Sequence, residues 1–167
     1  CQKESKEYVR KCQSVDWSKE KVEIKLDQIA KVFLDRGALP DLLALQEVEN
    51  SLVIERLISR WKKFGNLKFV MTDSPDKRGI DNVLIYKESA DLKLIRHGEV
   101  KISGDLFSKK PTRNVLEAEF QINGREKLVV YVNHWPSQAT KDSEVRLEVG
   151  RQLRRHITRQ YPAEDAA

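Results

Sequence analysis

Two stretches of the sequence end an apolar run in groups that can bind a phosphate or a metal. In the first, Pro40-Asp41-Leu42-Leu43-Ala44-Leu45 leads into Gln46-Glu47-Val48-Glu49-Asn50. A buried strand there would deliver Glu47 to its carboxyl edge, where α/β sheets build their sites. A carboxylate so placed can hold a hard cation, because magnesium takes oxygen ligands and needs only one or two protein carboxylates beside water and substrate phosphate. An ordinary exposed strand end carries the same residue type. In the second stretch, Leu128-Val129-Val130-Tyr131-Val132 stops at Asn133-His134-Trp135-Pro136-Ser137. A histidine at a strand end can donate a hydrogen bond to a phosphoryl oxygen or exchange a proton near neutral pH, with Asn133 orienting it or the ligand. As a plain turn residue His134 needs no such role, and Trp135-Pro136 then reads as packing and a turn.

A third group is Asp76-Lys77-Arg78-Gly79-Ile80-Asp81-Asn82, a turn before an apolar strand. Gly79 allows the tight bend, and Arg78 could clamp a phosphate through two donors. Asp81 could pair with a neighbouring protonated histidine or arginine. Arg113 and Arg146 could add positive charge, although single arginines are usually surface residues. His97 and His156 lie in charged contexts and read as ordinary.

These residues need a scaffold, and the periodicity supplies one. From Ser18, the residues Val22, Leu26, Ile29, Ala30 and Phe33 recur at helical spacing until Gly37 and Pro40 stop them. A second helix is expected over Ser51 to Lys63, with Ser51 as its cap. Strands are expected at 67–72, 80–86, 92–102, 114–122 and 127–133, and Asn123-Gly124 is a hairpin signal. Ser143 to Gln160 carries Val145, Val149, Leu153 and Ile157 at i, i+4 steps among five arginines, an amphipathic basic helix. Residues 1–15 read as an irregular leader and 161–167 as a frayed tail. The order gives an α/β (α+β) fold, a mixed and mainly antiparallel sheet flanked by helices, in one domain over 1–167.

Composition narrows the classes. With 31 Lys and Arg against 26 Asp and Glu, the net charge is +5, a mild bias towards phosphate-bearing partners. No window approaches the roughly 18 apolar residues of a membrane span. Cys1 and Cys12 lack metal-finger spacing and are too few for a disulfide scaffold. Whether they pair is open at this level.

Together, Pro40 to Asn50, Arg78-Gly79-Ile80-Asp81 and Asn133-His134-Trp135-Pro136-Ser137-Gln138 occur in an order that resembles the endonuclease/exonuclease/phosphatase superfamily. These are the metal-dependent phosphodiesterases related to deoxyribonuclease I, apurinic endonucleases, inositol polyphosphate phosphatases and bacterial sphingomyelinases. The segment with Cys12 before Asp16-Trp17-Ser18 is similar to a secreted or periplasmic bacterial branch, which implies an extracellular or periplasmic location. The resemblance implies a deoxyribonuclease I-like α/β sandwich. It also implies Glu47 as ligand to Mg²⁺ or Mn²⁺, and His134 as hydrogen-bond donor to a phosphate oxygen, oriented by Asp81. Asn133, Arg78, Ser137 and Arg146 are the further phosphate-contacting or orienting candidates. The reaction implied is in-line attack of water on a phosphodiester. A strand ending in a metal-site Asn, a Gly-Asp-Phe-Asn segment and a Ser-Asp-His segment of that family have no counterpart here, so the expectation is an internal fragment lacking part of the active site.

The expected partner is a phosphodiester substrate, nucleic acid favoured over phospholipid. Sheet edges left open by missing strands could support a dimer. The alternative is a non-catalytic module that grips nucleic acid or anionic lipid through its basic last helix and the Arg78 turn.

Overall fold

Ser18 opens the first helix as expected, its hydroxyl accepting from the Lys21 amide at 3.4 Å. The computed structural model describes residues 18–137 and 143–162. The leader 1–15, Cys1, Cys12, Asp16, Trp17, Gln138 and residues 163–167 lie outside the described residues. Helix α1 covers Lys19–Leu34 and α2 covers Ser51–Ser59, followed by a 3₁₀ turn at Lys62–Phe64. The cap of α2 is Asn50, not Ser51: the Asn50 side chain accepts from the Val53 amide at 3.1 Å, and Ser51 is already helical. Asn and Ser cap comparably, so the residue with the extended backbone takes the position.

Strands β1 (Leu42–Val48), β2 (Leu67–Met71) and β3 (Asp81–Lys87) form one sheet in the order β1-β3-β2. Strands β4 (Leu92–Val100), β5 (Val115–Ile122) and β6 (Glu126–Val132) form a second in the order β4-β5-β6. All four pairings are antiparallel, so the mainly antiparallel α/β arrangement expected takes the form of two antiparallel sheets. Asn123 and Gly124 take φ of 50° and 72°, the left-handed pair that a two-residue hairpin requires. A short helix α3, Asp105–Ser108, carries the buried Phe107 where no element was read. The last helix, α4, covers Ser143–Gln160 as expected.

Alternation along the strands builds the layers. Val83 and Ile85 pack with Leu26, Ala30, Ile54, Leu57 and Trp61 beneath the first two helices. Leu84 and Tyr86, on the opposite face of β3, meet Leu116, Ala118, Phe120 and Val132 of the second sheet. Tyr86 and Phe120 are edge-to-face with centroids 5.3 Å apart. On the outer face of that sheet, Val100, Ile102, Val115 and Phe107 hold Val149 of α4. The sheets thus face each other between helical layers, an α/β sandwich.

Charged groups pin the far end of α4. Buried Glu117 bonds His156 and pairs with Arg96 at 2.8 Å. The Tyr161 hydroxyl donates to Glu119 at 2.9 Å and accepts from Arg96 at 2.6 Å. Tyr161 is therefore anchored, not part of a frayed tail, because its phenol bridges a carboxylate and a guanidinium. Among the described residues no helix is long and apolar enough to cross a membrane.

Candidate active site

The pairing of β1 with β3 slips at its end. Leu45 faces Val83 and Val48 faces Asp81, so two residues of β1, Gln46 and Glu47, bulge out against the single Asn82 of β3. Bulges beside functional sites re-aim a side chain. Glu47 takes φ of 60°, a left-handed conformation that costs a non-glycine residue about 1–2 kcal/mol. Its carboxylate stands exposed at the sheet edge, with 62% of the side chain accessible. The adjacent Gln46 amide donates to the Asn133 carbonyl at 3.3 Å, tying the end of β1 to the end of β6 on the other sheet.

That tie brings His134 to Glu47. The imidazole Nε2 lies 3.7 Å from Glu47 Oε1, and the buried Nδ1 has no hydrogen-bond partner among the described residues. Burial depresses the His134 pKa, helped by the charges of Arg113 and Arg78 and opposed by Glu47 and Asp76. A neutral ring with its proton on Nε2 suits these surroundings, because that tautomer aims its donor at the open carboxylate side.

The group that fixes His134 is Arg113. Its Nε and Nη2 donate to the His134 carbonyl at 3.0 and 2.8 Å, Nη2 also reaches the Trp135 carbonyl at 3.2 Å, and Nη1 reaches Asp76 at 2.9 Å. Both partners of that ion pair are buried. Asp76 also accepts from Arg78, Nε at 3.1 Å and Nη2 at 3.3 Å. Burial pushes the Asp76 pKa up, but the bonds and charges of Arg78 and Arg113 outweigh it and hold the carboxyl below its ordinary range. Sequence reasoning gave Arg113 little weight and no role to Asp76. The available signal was the density of charge around Asp76-Lys77-Arg78, which alone names no partner.

Asp81 does not orient His134. It is buried, and its Oδ1 accepts from the Thr72 hydroxyl at 2.9 Å and the Ser74 amide at 2.8 Å, pinning the loop that carries Asp76 and Arg78. The carboxylate within ion-pair distance of His134 is Glu47. Asn133 folds onto its own strand, donating to the Tyr131 carbonyl at 3.1 Å and accepting from the Trp135 indole N–H at 3.1 Å. Ser137 and Arg146 meet, Arg146 Nη1 donating to the Ser137 carbonyl at 3.2 Å. Trp135, read as packing, stays 42% exposed.

Among the described residues no group of three or more His, Cys, Asp or Glu side chains could hold a metal. Glu47 is a single open carboxylate at the edge. That donor set fits a cation such as Mg²⁺, which keeps several waters and accepts one protein carboxylate, and not a zinc site.

The family model described as Endonuclease/Exonuclease/phosphatase family matches residues 1–166. Among solved structures, truncated TDP2 from Caenorhabditis elegans superposes with a TM-score of 0.59 at 19% identity, covering 87% of this chain and 53% of that one. The human Nocturnin catalytic domain, solved with a bound sulfate anion, gives 0.60 at 17% identity, covering 90% and 55%. The chain thus spans just over half the length of these two structures. A search of curated protein sequences found no match.

Proposed function

The chain belongs to the endonuclease/exonuclease/phosphatase family, and from that premise we propose that it serves a metal-dependent phosphodiester hydrolase of nuclease type. The observation that carries the reading is the strained, bulged Glu47 brought to 3.7 Å from His134. A fold tolerates a left-handed glutamate at an open edge where the carboxylate has a task. Glu47 would hold Mg²⁺ or Mn²⁺, which when bound polarises a phosphoryl oxygen and stabilises the leaving oxyanion.

This chain's own groups do the rest. His134 donates from Nε2 to a phosphoryl oxygen and strengthens that bond as charge grows there in the transition state. Arg113 holds the His134 backbone still, so the donor is in place before reaction and needs no reorganisation. Asp76 aligns Arg113 and Arg78 together and leaves Arg78 partly exposed at the rim, where it can meet the phosphate. Asp81 supports that loop from beneath. The net charge of +5 supports a nucleic-acid substrate over a neutral one, and the similarity of the Cys12 to Ser18 segment to a secreted branch supports an extracytoplasmic location.

The test is hydrolysis of bis-(p-nitrophenyl) phosphate with Mg²⁺ or Mn²⁺ by the wild-type chain, Glu47→Ala and His134→Ala. Metal-dependent turnover lost in both variants supports the reading. Turnover indifferent to both substitutions overturns it, as would polyanion binding through the α4 arginines with no metal binding at Glu47.

A further inference from the structure

Trp135 follows His134 directly, and its indole is fixed at opposite ends. The pyrrole N–H donates to Asn133 Oδ1 at 3.1 Å. The far benzo edge rests on Gly150 of α4, where a methyl group would come within 3.3 Å of Cη2 and 3.8 Å of Cζ3. Its own carbonyl is held by Arg113 at 3.2 Å. Yet 42% of the residue is exposed, whereas Trp61 is fully buried. Both edges of the indole are thus engaged while the residue stays open to solvent.

Basic residues of α4 flank the contact, and Arg146 donates to the carbonyl of Ser137, two residues beyond Trp135, at 3.2 Å. Arg146 and Arg154 stand four residues before and after Gly150, on the same face of α4. An immobilised aromatic surface among arginines is the arrangement that binds single-stranded nucleic acid, bases stacking on the ring while phosphates meet the charge. A membrane anchor would instead present a protruding apolar tip to the bilayer.

We infer that Trp135 is a stacking platform for an unpaired nucleobase beside the scissile phosphodiester, so the strand taken at this edge is single-stranded or frayed at that nucleotide. The inference rests on the phosphodiesterase reading for its substrate class. It deepens that reading by making Trp135 a specificity determinant.

The experiment is fluorescence anisotropy of a labelled single-stranded oligonucleotide in EDTA, with the wild-type chain, Trp135→Ala and Trp135→Phe. A duplex, a strand with one abasic position moved along its length, and phosphatidylserine vesicles serve as comparison probes. The expected result is about a 5- to 150-fold weaker single-strand complex for Trp135→Ala, the effect of one lost base stack, with most affinity recovered by Trp135→Phe. One abasic position should reproduce the loss in the wild type, and the duplex should not respond to the substitution. The inference is overturned if the wild type does not bind the strand, if no abasic position matters, if duplex and single strand weaken alike, or if the substitution affects vesicles but not strands. Hydrolysis is scored separately. Intact stacking with turnover indifferent to Glu47→Ala and His134→Ala would sink the phosphodiesterase reading alone, and turnover with no base dependence would sink the Trp135 inference alone.

Discussion

His134 Nε2 and Glu47 Oε1 face each other at 3.7 Å across the edge of the sandwich, one carried by the end of β6 and the other by the bulge in β1. Glu47 holds its place with φ of 60°, where glycine sits without penalty. Glu47→Gly should therefore be more stable than Glu47→Ala by about 1 kcal/mol, although glycine is normally the less favourable of the two. Both should lose metal-dependent hydrolysis. Urea unfolding of the pair checks the first expectation, and equal midpoints would mean that the bulge relaxes once the carboxylate is gone.

Arg113 should be needed for its shape as well as its charge. Lysine cannot span the His134 carbonyl, the Trp135 carbonyl and Asp76 together, so Arg113→Lys should fold but hold His134 loosely. The expected effect is a loss on the order of 10- to 100-fold in kcat with KM little changed, the scale of a misplaced catalytic group. Steady-state kinetics on bis-(p-nitrophenyl) phosphate would measure it. A change confined to KM would argue that Arg113 contacts substrate and does not position His134.

Asp76 gives a pH dependence of stability with a definite sign. Its folded pKa lies below the ordinary carboxylate value, so the folded state binds the proton less readily than the unfolded chain. The stability this contributes is complete above about pH 5 and disappears as pH falls through roughly 3.9 towards the lower folded value. Asp76→Asn should flatten that acid limb. At neutral pH it should cost roughly 3–5 kcal/mol, because Arg113 would be left buried without its counter-charge. Urea titrations between pH 3 and 7 provide the comparison.

Periodicity made the elements readable, and antiparallel pairing put their ends where chemistry was expected. Helix α4 and the Asn123-Gly124 hairpin are local patterns, set by a 3.6-residue repeat and by the left-handed preference of two residues. Glu47 and His134 were legible as polar groups ending apolar strands. Two features were not. The cap at Asn50 in place of Ser51 depends on one backbone angle. Asp76 and Arg113 acquire their roles only when the loop before β3 meets the start of β5, and Asp81 was read towards His134 when its neighbours are Thr72 and Ser74.

Gly150 separates the position of the indole from the chemistry beside it. Replacing a helix-interior glycine by alanine ordinarily stabilises by about 1 kcal/mol. Here the new methyl would lie 3.3 Å from Trp135 Cη2, so the ring must yield by a few tenths of an ångström. The indole is partly exposed and can slide outwards, so Gly150→Ala should come out near neutral in thermal unfolding. A branched residue asks for more than the ring can give while keeping its bond to Asn133. Gly150→Val should therefore displace Trp135 and weaken single-strand binding as Trp135→Ala does. The backbone of His134 is held by Arg113 from the other side, so turnover of bis-(p-nitrophenyl) phosphate by Gly150→Val should stay close to wild type. Loss of both together would show that Gly150 supports the whole edge and not the indole alone.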